Sequence, residues 1–310
     1  MVAIDWKQGP SHEQESAPPG FGRHARMTAF ATAAAPRRRK LPSFGRLVAH
    51  AVLILSSLVV LLPLLWIART SIVSRRVAYL IPPDWGATLN LDSWSYIFGD
   101  QNFVRFFLNS LGIGLGTAVL SLLIGVPAAY SMARWRTGGQ PVRVGILATQ
   151  ILPPIALVIP VFILAREAGL LNNQVLIAVM YLSFNLPFVV WILTGFFQGL
   201  PQEVEEAGLV DGGTRTQVLR LVVVPMALPG LIAAGVFSFV LAWNEFLFAF
   251  ILTGIDSRTL PVALVGLITQ AGTQIGPMAA GTMLMSVPVI ALTFVVQRYL
   301  VTGLTFGSVK

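Results

Sequence analysis

The chain lacks several residue types that enzymes rely on. Its 310 residues include no cysteine, which excludes a disulfide, a thiolate metal site and a cysteine nucleophile. The three histidines, His12, His24 and His50, all lie in the N-terminal region. No metal site or catalytic triad is therefore predicted, and no residue is assigned a catalytic role.

Charge is also scarce. Only 11% of residues are charged, 55% are hydrophobic, and the mean hydropathy is +0.76. A soluble domain usually carries about 25% charged residues, so this composition predicts an integral membrane protein. The net charge of +8 is compatible with nucleic acid as a partner. The basic residues instead flank apolar runs, as they do where they orient membrane segments, so nucleic-acid binding is not predicted.

Six uncharged or nearly uncharged runs are long enough to cross a bilayer, which takes about 20 apolar residues. They predict an all-α membrane protein with six transmembrane helices. The runs are 47–68, 106–133, 144–165, 175–197, 221–244 with a continuation to about 255, and 278–296.

Lysine and arginine in the short loops predict the orientation. With the N-terminus inside, the cytoplasmic side carries twelve of these residues and the outer side six, with Arg75 and Arg76 as an outer exception. Both termini are therefore predicted to be cytoplasmic. Residues 1–45 are rich in Pro, Gly, Ala, Ser and charge and predict a disordered cytoplasmic tail, and residues 46–310 form the membrane domain. Met27 is an alternative start.

One loop, residues 201–225, is conspicuously polar. It carries Glu203, Glu205, Glu206 and Asp211, and it is predicted to form two short helices. Pro201 suits a helix start, Gly212-Gly213 a break, and Thr214 the cap of a second helix. The alternative is an ordinary solvated loop.

The loop's sequence resembles the EAA loop of ABC-importer permeases. Glu206-Ala207-Gly208 is followed by Asp211-Gly212, and nine residues later by Val222-x-Val224-Pro225. The family pattern is Glu-Ala-Ala, three residues, Gly, nine residues, then aliphatic-x-aliphatic-Pro. Gly208 departs from it, since the family usually has Ala there, and glycine lowers helix propensity by about 1 kcal/mol.

Further segments resemble the carbohydrate-class permeases of the maltose-transporter type, and the resemblance covers roughly residues 45–310. These segments are Asn109-Ser110, 127–134, 169–173, 184–188, 243–246 and the C-terminal 301–310.

The resemblance implies a type I ABC-importer permease in the bacterial inner membrane, moving a sugar by alternating access. Its implied partners are a second homologous permease, two ATPase subunits, an extracytoplasmic binding protein and membrane lipid. ATP and Mg are used by the ATPases, and this chain, which lacks G-x-x-x-x-G-K-[ST], binds no cofactor. The residues implied to couple the chain to the ATPase are Glu205, Glu206, Ala207, Gly208, Asp211, Gly212 and Arg215.

Polar residues at membrane depth are candidates for the pathway or a gate. They are Asn109, Gln150, Asn185, Trp243, Asn244 and Glu245. Each is equally explained by interhelical hydrogen bonds or packing, and Glu245 is better explained as a structural or gating group than as a sugar contact. Trp66, Trp191 and Trp243 are candidates for stacking on sugars, although aromatic packing or interfacial anchoring is the more common role. The small, polar outer loop is a candidate contact for the binding protein, through Gln270, Gly272, Thr273 and Gln274.

Three alternatives stay open. An importer of a polyol, glycerol phosphate, peptide or other solute would share the machinery. An ion-coupled carrier would need acids in several spans, and only Glu245 is near membrane depth. An intramembrane enzyme would need a His, Cys or paired-carboxylate cluster in the spans, and the sequence offers none.

Overall fold

The computed structural model describes residues 43–99, 102–151 and 153–306, and these are mostly helical. The first half comprises α1 (Ser43–Ser71), α2 (Arg75–Ala78), α3 (Asp92–Phe98), α4 (Phe103–Trp135), α5 (Gly139–Ala148), α6 (Pro154–Glu167) and α7 (Gln174–Gln198). The second half comprises α8 (Gln202–Val210), α9 (Arg215–Val218), a π-helical turn (Leu219–Val223), α10 (Val224–Met226), α11 (Leu228–Trp243), α12 (Leu247–Leu252), α13 (Leu260–Val265), β1 (Ile268–Thr269), β2 (Gly272–Thr273) and α14 (Ile275–Phe306).

Among the described residues, four helices are long and apolar enough to cross a membrane. They are α1 from Phe44, α4, α7 and the Ile275–Phe294 part of α14. The number rises to five if Arg215–Met226 and Leu228–Trp243 count as one span, although the two parts meet at 80°. Four of the predicted segments thus correspond to single helices.

The predicted segment 144–165 differs, because it is not one helix. It is divided between α5, which ends at Ala148, and α6, which begins at Pro154. Pro153 and Pro154 explain the break: proline has no N–H for a helix hydrogen bond and disfavours helical geometry in the residue before it. Neither piece is long enough to cross a bilayer alone.

The fifth predicted segment is also interrupted. The π-helical turn and Pro225 precede a sharp bend at Ala227, and α11 then runs for 16 residues with Pro229 in its first turn. Proline is tolerated there because the first N–H groups of a helix have no intrahelical partner. The helix stops at Trp243, short of the predicted continuation to about Ile255, which is taken up by the separate α12.

The core is built where α4 packs against α7 and α11. Glycines permit the close approach: a Cβ on Gly230 would lie 2.5 Å from the ring of Phe196, and one on Gly125 would lie 2.8 Å from Val189. Small residues at such crossings let helices pack tightly inside membranes, where no hydrophobic effect drives them together.

A polar cluster ties the N-terminal half of α4 to the segment after α12. We call it the N-terminal clamp, comprising Arg105, Asn109, Asn172 and Asp256. Asn109 Nδ2 donates to Asp256 O at 2.8 Å, and Arg105 pairs with the Asp256 carboxylate at 2.7 Å. Asn172 Oδ1 accepts three hydrogen bonds, from Gly254 N, Ser257 N and Ser257 Oγ. The clamp therefore fixes a stretch without regular structure to α4 and to the turn between α6 and α7.

The chain divides into two compact units, Met1–Leu55 and Ser56–Lys310, and the boundary falls inside α1. The described part of the first unit is the beginning of α1. Most of the predicted tail, residues 1–42, lies outside the described residues, as do 307–310 of the C-terminal segment.

Candidate coupling site

The polar loop folds as the sequence predicts, into two short helices. In α8, Pro201 precedes the first helical residue, and Glu203 and Glu205 lie in the first turn, where the helix dipole favours negative charge. The helix ends at Asp211. Gly212 then adopts φ +87°, which is accessible to glycine at little cost.

Gly213 and Gly208 bring the end of α8 close to α9. Gly213 N donates to Gly208 O at 3.0 Å, and a Cβ on Gly213 would lie 2.7 Å from that oxygen. A Cβ on Gly208 would lie 3.2 Å from Val218 Cγ2, closer than ordinary contact. The departure from the family's alanine at 208 thus coincides with tight packing of α8 against α9.

Thr214 begins α9 with a reciprocal cap. Its Oγ1 accepts from Gln217 N at 3.3 Å, while Gln217 Oε1 accepts from Thr214 N at 2.8 Å. This capping box satisfies two backbone N–H groups that have no intrahelical partner. The predicted second helix therefore begins where expected, but it becomes π-helical after Val218 instead of continuing as an α-helix.

A buried ion pair holds α8 to the C-terminal end of α4. We call it the C-terminal anchor, comprising Tyr130, Arg134 and Glu205. Arg134 Nε donates to Glu205 Oε1 at 2.8 Å, Arg134 Nη2 donates to the same oxygen, and Tyr130 Oη donates to Glu205 Oε2 at 2.8 Å. Arg134 Nη2 also donates to Leu200 O at 3.2 Å. Both carboxylate oxygens are thereby satisfied in a nearly dry site.

The anchor gives Glu205 a place that the sequence does not indicate. The resemblance groups Glu205 with the residues expected to couple to the ATPase, yet its side chain faces its own helix bundle and is only 9% exposed. Any contribution of Glu205 to coupling must therefore act through the position of α8. Sequence reasoning misses Arg134 and Tyr130, because their pairing with a residue 71 or 75 positions away depends on the tertiary fold.

The opposite face of α8 is exposed. Spacings of three and four residues put Glu203, Glu206, Ala207 and Val210 on one side of the helix, and all four are solvent-exposed. Val210 is 86% exposed, and it lies outside every segment predicted to cross the membrane. Asp211 and Gly212 continue the exposed surface. An exposed face that combines acids with a bare valine is suited to bind another protein.

Arg215 lies beside this face. Its guanidinium is 5.1 Å from the centre of the Trp135 ring, a cation–π distance. It remains exposed and lines a small cleft of about 160 Å³ together with Glu206 and Leu209. The structure therefore brings Glu206, Asp211, Gly212 and Arg215 together at one end of the molecule.

The pathway candidates do not form one site. Asn109 belongs to the N-terminal clamp, where its Oδ1 also accepts from Gln174 Nε2 at 2.7 Å. Asn185 is fully buried and accepts from Ser238 Oγ at 2.9 Å. Gln150 donates to Phe184 O at 3.0 Å from the break between α5 and α6. Asn109 and Asn185 thus make interhelical hydrogen bonds, the alternative to a role in the pathway, and Gln150 binds α7 from outside any helix.

The remaining candidates lie at the end of α11. Trp243 is buried, stacks on Phe239 at 5.5 Å and donates to Met285 O at 3.1 Å. Glu245 caps α12 by accepting from Phe248 N and Ala249 N at 2.9 and 3.2 Å. Asn244 is exposed and donates to Val240 O within its own helix. Trp243 therefore has no face open to a sugar, and Glu245 has the helix-end role anticipated as its structural explanation.

The loop predicted to lie on the outer side is a small antiparallel hairpin. Ile268 pairs with Thr273, and Thr269 with Gly272. Gly272 has φ +107°, Gln270 is exposed at the tip, and Tyr79 Oη donates to Thr273 O. Gln274 N donates to Leu267 O at 3.1 Å and closes the base. The predicted loop is thus more regular than its glycine content suggests.

These features define a multi-pass membrane protein with a rigidly held, exposed acidic helix. Residues 121–305 match the family model described as binding-protein-dependent transport system inner membrane component. The chain belongs to this family, as the motifs predict, and is a multi-pass protein of the bacterial inner membrane.

Relatives with named substrates are similar over most of their length. The trehalose transport system permease protein SugB of Mycobacterium tuberculosis is 36% identical, covering 83% of this chain and 96% of the relative. The diacetylchitobiose uptake system permease protein DasC of Streptomyces coelicolor is 30% identical, covering 86% of this chain and 98% of the relative.

A solved structure supports the fold. The match is to a bacterial ABC transporter involved in the import of the acidic polysaccharide alginate, with a TM-score of 0.68 and 24% identity. It covers 83% of this chain and 96% of the other.

Proposed function

We propose that this chain is a permease subunit of an ATP-driven, binding-protein-dependent carbohydrate importer. It forms half of the translocation pathway with a second, homologous permease. The segments shared with carbohydrate-class permeases and the two sugar-transporting relatives support the substrate class. An importer of a polyol, glycerol phosphate, peptide or other solute is the main alternative, and measuring which solutes the cognate binding protein binds decides between them.

The membrane arrangement is part of the proposal. Six spans result if α5 and α6 form one interrupted span and the bent pair around Ala227 forms another. Residues 46–310 then make up the membrane domain. In this arrangement both termini lie in the cytoplasm. The excess of arginine and lysine on the inner side supports this orientation.

Coupling depends on the exposed face of α8. In the proposed assembly this face docks on an ATPase subunit, and two such subunits bind ATP with Mg. Glu206 makes the polar contact with the ATPase, and Arg215 faces the same partner. The small side chains of Ala207 and Gly208 allow close approach to the helix. Asp211 and Gly212 form its C-terminal end. The single observation that carries this role is the combination of an exposed acidic face with the buried C-terminal anchor on the opposite side.

The anchor explains why docking would move the membrane domain. A helix connected only by flexible loops could follow an ATPase without displacing anything else. Because Glu205 is bound to two side chains of α4, displacement of α8 is transmitted to α4 and then to α7, which packs along it. ATP-driven closure would open the cavity outward, and hydrolysis would reset it inward. The chain itself carries out no covalent chemistry.

The hairpin tip is proposed to contact the binding protein on the outer side, through Gln270, Gly272, Thr273 and Gln274. Its exposure and its fixed base support this role. A cysteine at Gln270 should form a cross-link to the loaded binding protein in the assembled transporter, and one at Leu89, also exposed, should not. Equal cross-linking at both positions would contradict a specific contact.

Glu206→Lys tests the coupling role. Reversing one charge of an interfacial pair costs several kcal/mol, so uptake and ATPase stimulation by loaded binding protein should fall by at least about tenfold. Glu167→Lys is the matched control, since Glu167 is also an exposed helical glutamate, the last residue of α6, but lies outside the loop. Normal coupling in the Glu206 variant would contradict this role. Copurification of ATPase subunits with the wild type separates the importer from an ion-coupled carrier.

A further inference from the structure

A cleft of about 600 Å³ opens between α5 and the second half of α7, at the end of α7 that leads into α8. Trp191, Gly195 and Gln198 line it from α7, and Gln140 and Arg143 line it from α5. The spacings of three and four residues mean that each helix contributes one continuous face. The two faces combine an aromatic ring, two amides and a guanidinium.

Of the described side chains that line this cleft, four make no internal polar contact, whereas a fifth, Thr194, donates to Val190 O within α7. Within the part of the chain that the structure describes, the side chains of Trp191, Gln198, Gln140 and Arg143 have no hydrogen-bond, ion-pair or ring-stacking partner. By contrast, the polar side chains of the C-terminal anchor, Arg134 and Glu205, bind each other. The space beside Gly195 is open, because a Cβ built on this residue would meet no atom within 4 Å.

Of the three tryptophans that the sequence offers for stacking on sugars, only Trp191 lines this cleft. Trp243 is enclosed by Phe107 and Phe239. Trp66 packs edge-on against Trp85 and lies 5.5 Å from the Arg69 guanidinium. Trp191 is 59% exposed and carries neither kind of contact.

We infer that this cleft contacts the transported carbohydrate on the ATPase-side half of the pathway. An indole ring matches the apolar face of a sugar ring, and amide and guanidinium groups donate hydrogen bonds to its hydroxyls. Pockets that fix a small molecule in this way combine apolar walls with a few polar groups. Among the described residues, no carboxylate lines the cleft, which disfavours a cationic solute. The inference rests on the proposed function.

Filling the cleft is the first test. Gly195→Leu should place a side chain into open space, and uptake should fall at least tenfold while the complex still assembles. Gly112→Leu is the matched control, since Gly112 is also a helical glycine with no atom near a built Cβ, but it lies on α4 away from the cleft. Uptake is measured with radiolabelled maltose, trehalose or N,N′-diacetylchitobiose, whichever the wild-type complex imports. Wild-type uptake in the Gly195 variant would overturn the inference.

A graded series at Trp191 tests the stacking. Trp191→Phe keeps an aromatic face, and Trp191→Ala removes it. Loss of an aromatic contact of about 1 kcal/mol should reduce the uptake rate at sub-saturating sugar roughly fivefold in the alanine variant and much less in the phenylalanine variant. Equal, wild-type rates in both variants would overturn the inference.

The absence of cysteine permits a direct accessibility test. Gly195→Cys, in a complex whose partners are cysteine-free, should react with a charged methanethiosulfonate added to inside-out vesicles, and the imported sugar should slow that reaction. A lipid-filled cleft would leave the thiol unreactive, and an aqueous surface outside the pathway would give a reaction that sugar does not slow. Either result overturns the inference while wild-type uptake leaves the proposed function standing. A wild-type complex that imports none of the three sugars would overturn both.

Discussion

The two ends of α4 are fastened in opposite ways. At its C-terminal end, the C-terminal anchor uses an ion pair whose side chains are 7% and 9% exposed. At its N-terminal end, the N-terminal clamp uses Arg105 and Asp256, which are 49% and 65% exposed, and relies on asparagine amides for the rest. The same pair of charge types therefore serves in a dry site at one end and in a solvated site at the other.

The difference in burial indicates that the C-terminal end of α4 is the more rigidly held of the two. A buried ion pair is costly to desolvate and contributes little net stability, but removing one member strands the other in a dry site. An exposed pair is screened by water and salt and is easily replaced. At the end attached to α8, any rearrangement that separates Arg134 from Glu205 would leave a buried charge unpaired. That property suits a joint expected to transmit force.

Breaking the C-terminal anchor should give the largest effect. Arg134→Met leaves the Glu205 carboxylate buried without its main partner, and the free energy of unfolding should drop by about 3–5 kcal/mol. Thermal unfolding of the detergent-solubilised complex measures this.

The double variant Arg134→Met with Glu205→Leu is the control, because it removes both charges. It should recover much of the loss, since apolar replacements of a buried pair are often neutral. A double variant less stable than the single one would mean that the anchor acts through something other than the ion pair.

Removing the central acceptor of the N-terminal clamp should have a smaller effect. Asn172→Ala loses three accepted hydrogen bonds and places alanine at φ +63°, so we expect a loss of about 1–2 kcal/mol. Asn172→Gly relieves the backbone and should lose less. If both variants unfold at the same temperature, the backbone conformation contributes nothing.

The neighbouring residue offers a matched comparison. Asn173 caps α7 by accepting from Val175 N and Leu176 N at 2.8 and 3.3 Å. Asn173→Ala should lose about 1 kcal/mol, and Asn173→Asp should lose almost nothing because it keeps the acceptor. Thermal unfolding again reports the difference, and an equal loss in both variants would rule out the cap as the cause.

The smallest effect is expected at the exposed ion pair. Arg105→Ala should lose at most about 1 kcal/mol, and the difference from wild type should shrink as salt is raised. Unfolding temperatures at low and high ionic strength check this. A loss as large as that of Arg134→Met would erase the contrast between the two ends.

Local signals in the sequence are enough to predict the coupling loop. Pro201, Gly212 and Thr214 act on their immediate neighbours, so the start, break and cap of α8 and α9 follow from the residues themselves. The C-terminal anchor does not, because Glu205 suits the helix dipole equally well, and Arg134 looks like an ordinary flanking charge. Only the tertiary fold brings them together.

Hydropathy also conceals the breaks in two spans. The run 144–165 is uncharged throughout, and the paired prolines at 153 and 154 are compatible with a kink, whereas the helix in fact ends at Ala148 and a new one begins at Pro154. The π-helical turn has no residue signature at all, since Leu219–Val223 would form an ordinary α-helix equally well. Asn109 and Asn185 are recognisable as polar groups at depth, but their partners lie on other segments of the chain.

The π-helical turn has a rotational consequence. The π-helical turn contains one residue more than an α-helical turn would, and it lies between the acidic helix α8 and the helix α11. Winding the same residues as an ordinary α-helix would rotate the segment on one side relative to the other by about 100°, the angle that one α-helical residue spans. One surplus amino acid thus sets the angular phase between the acidic helix α8, which we propose docks on the ATPase, and the helix α11.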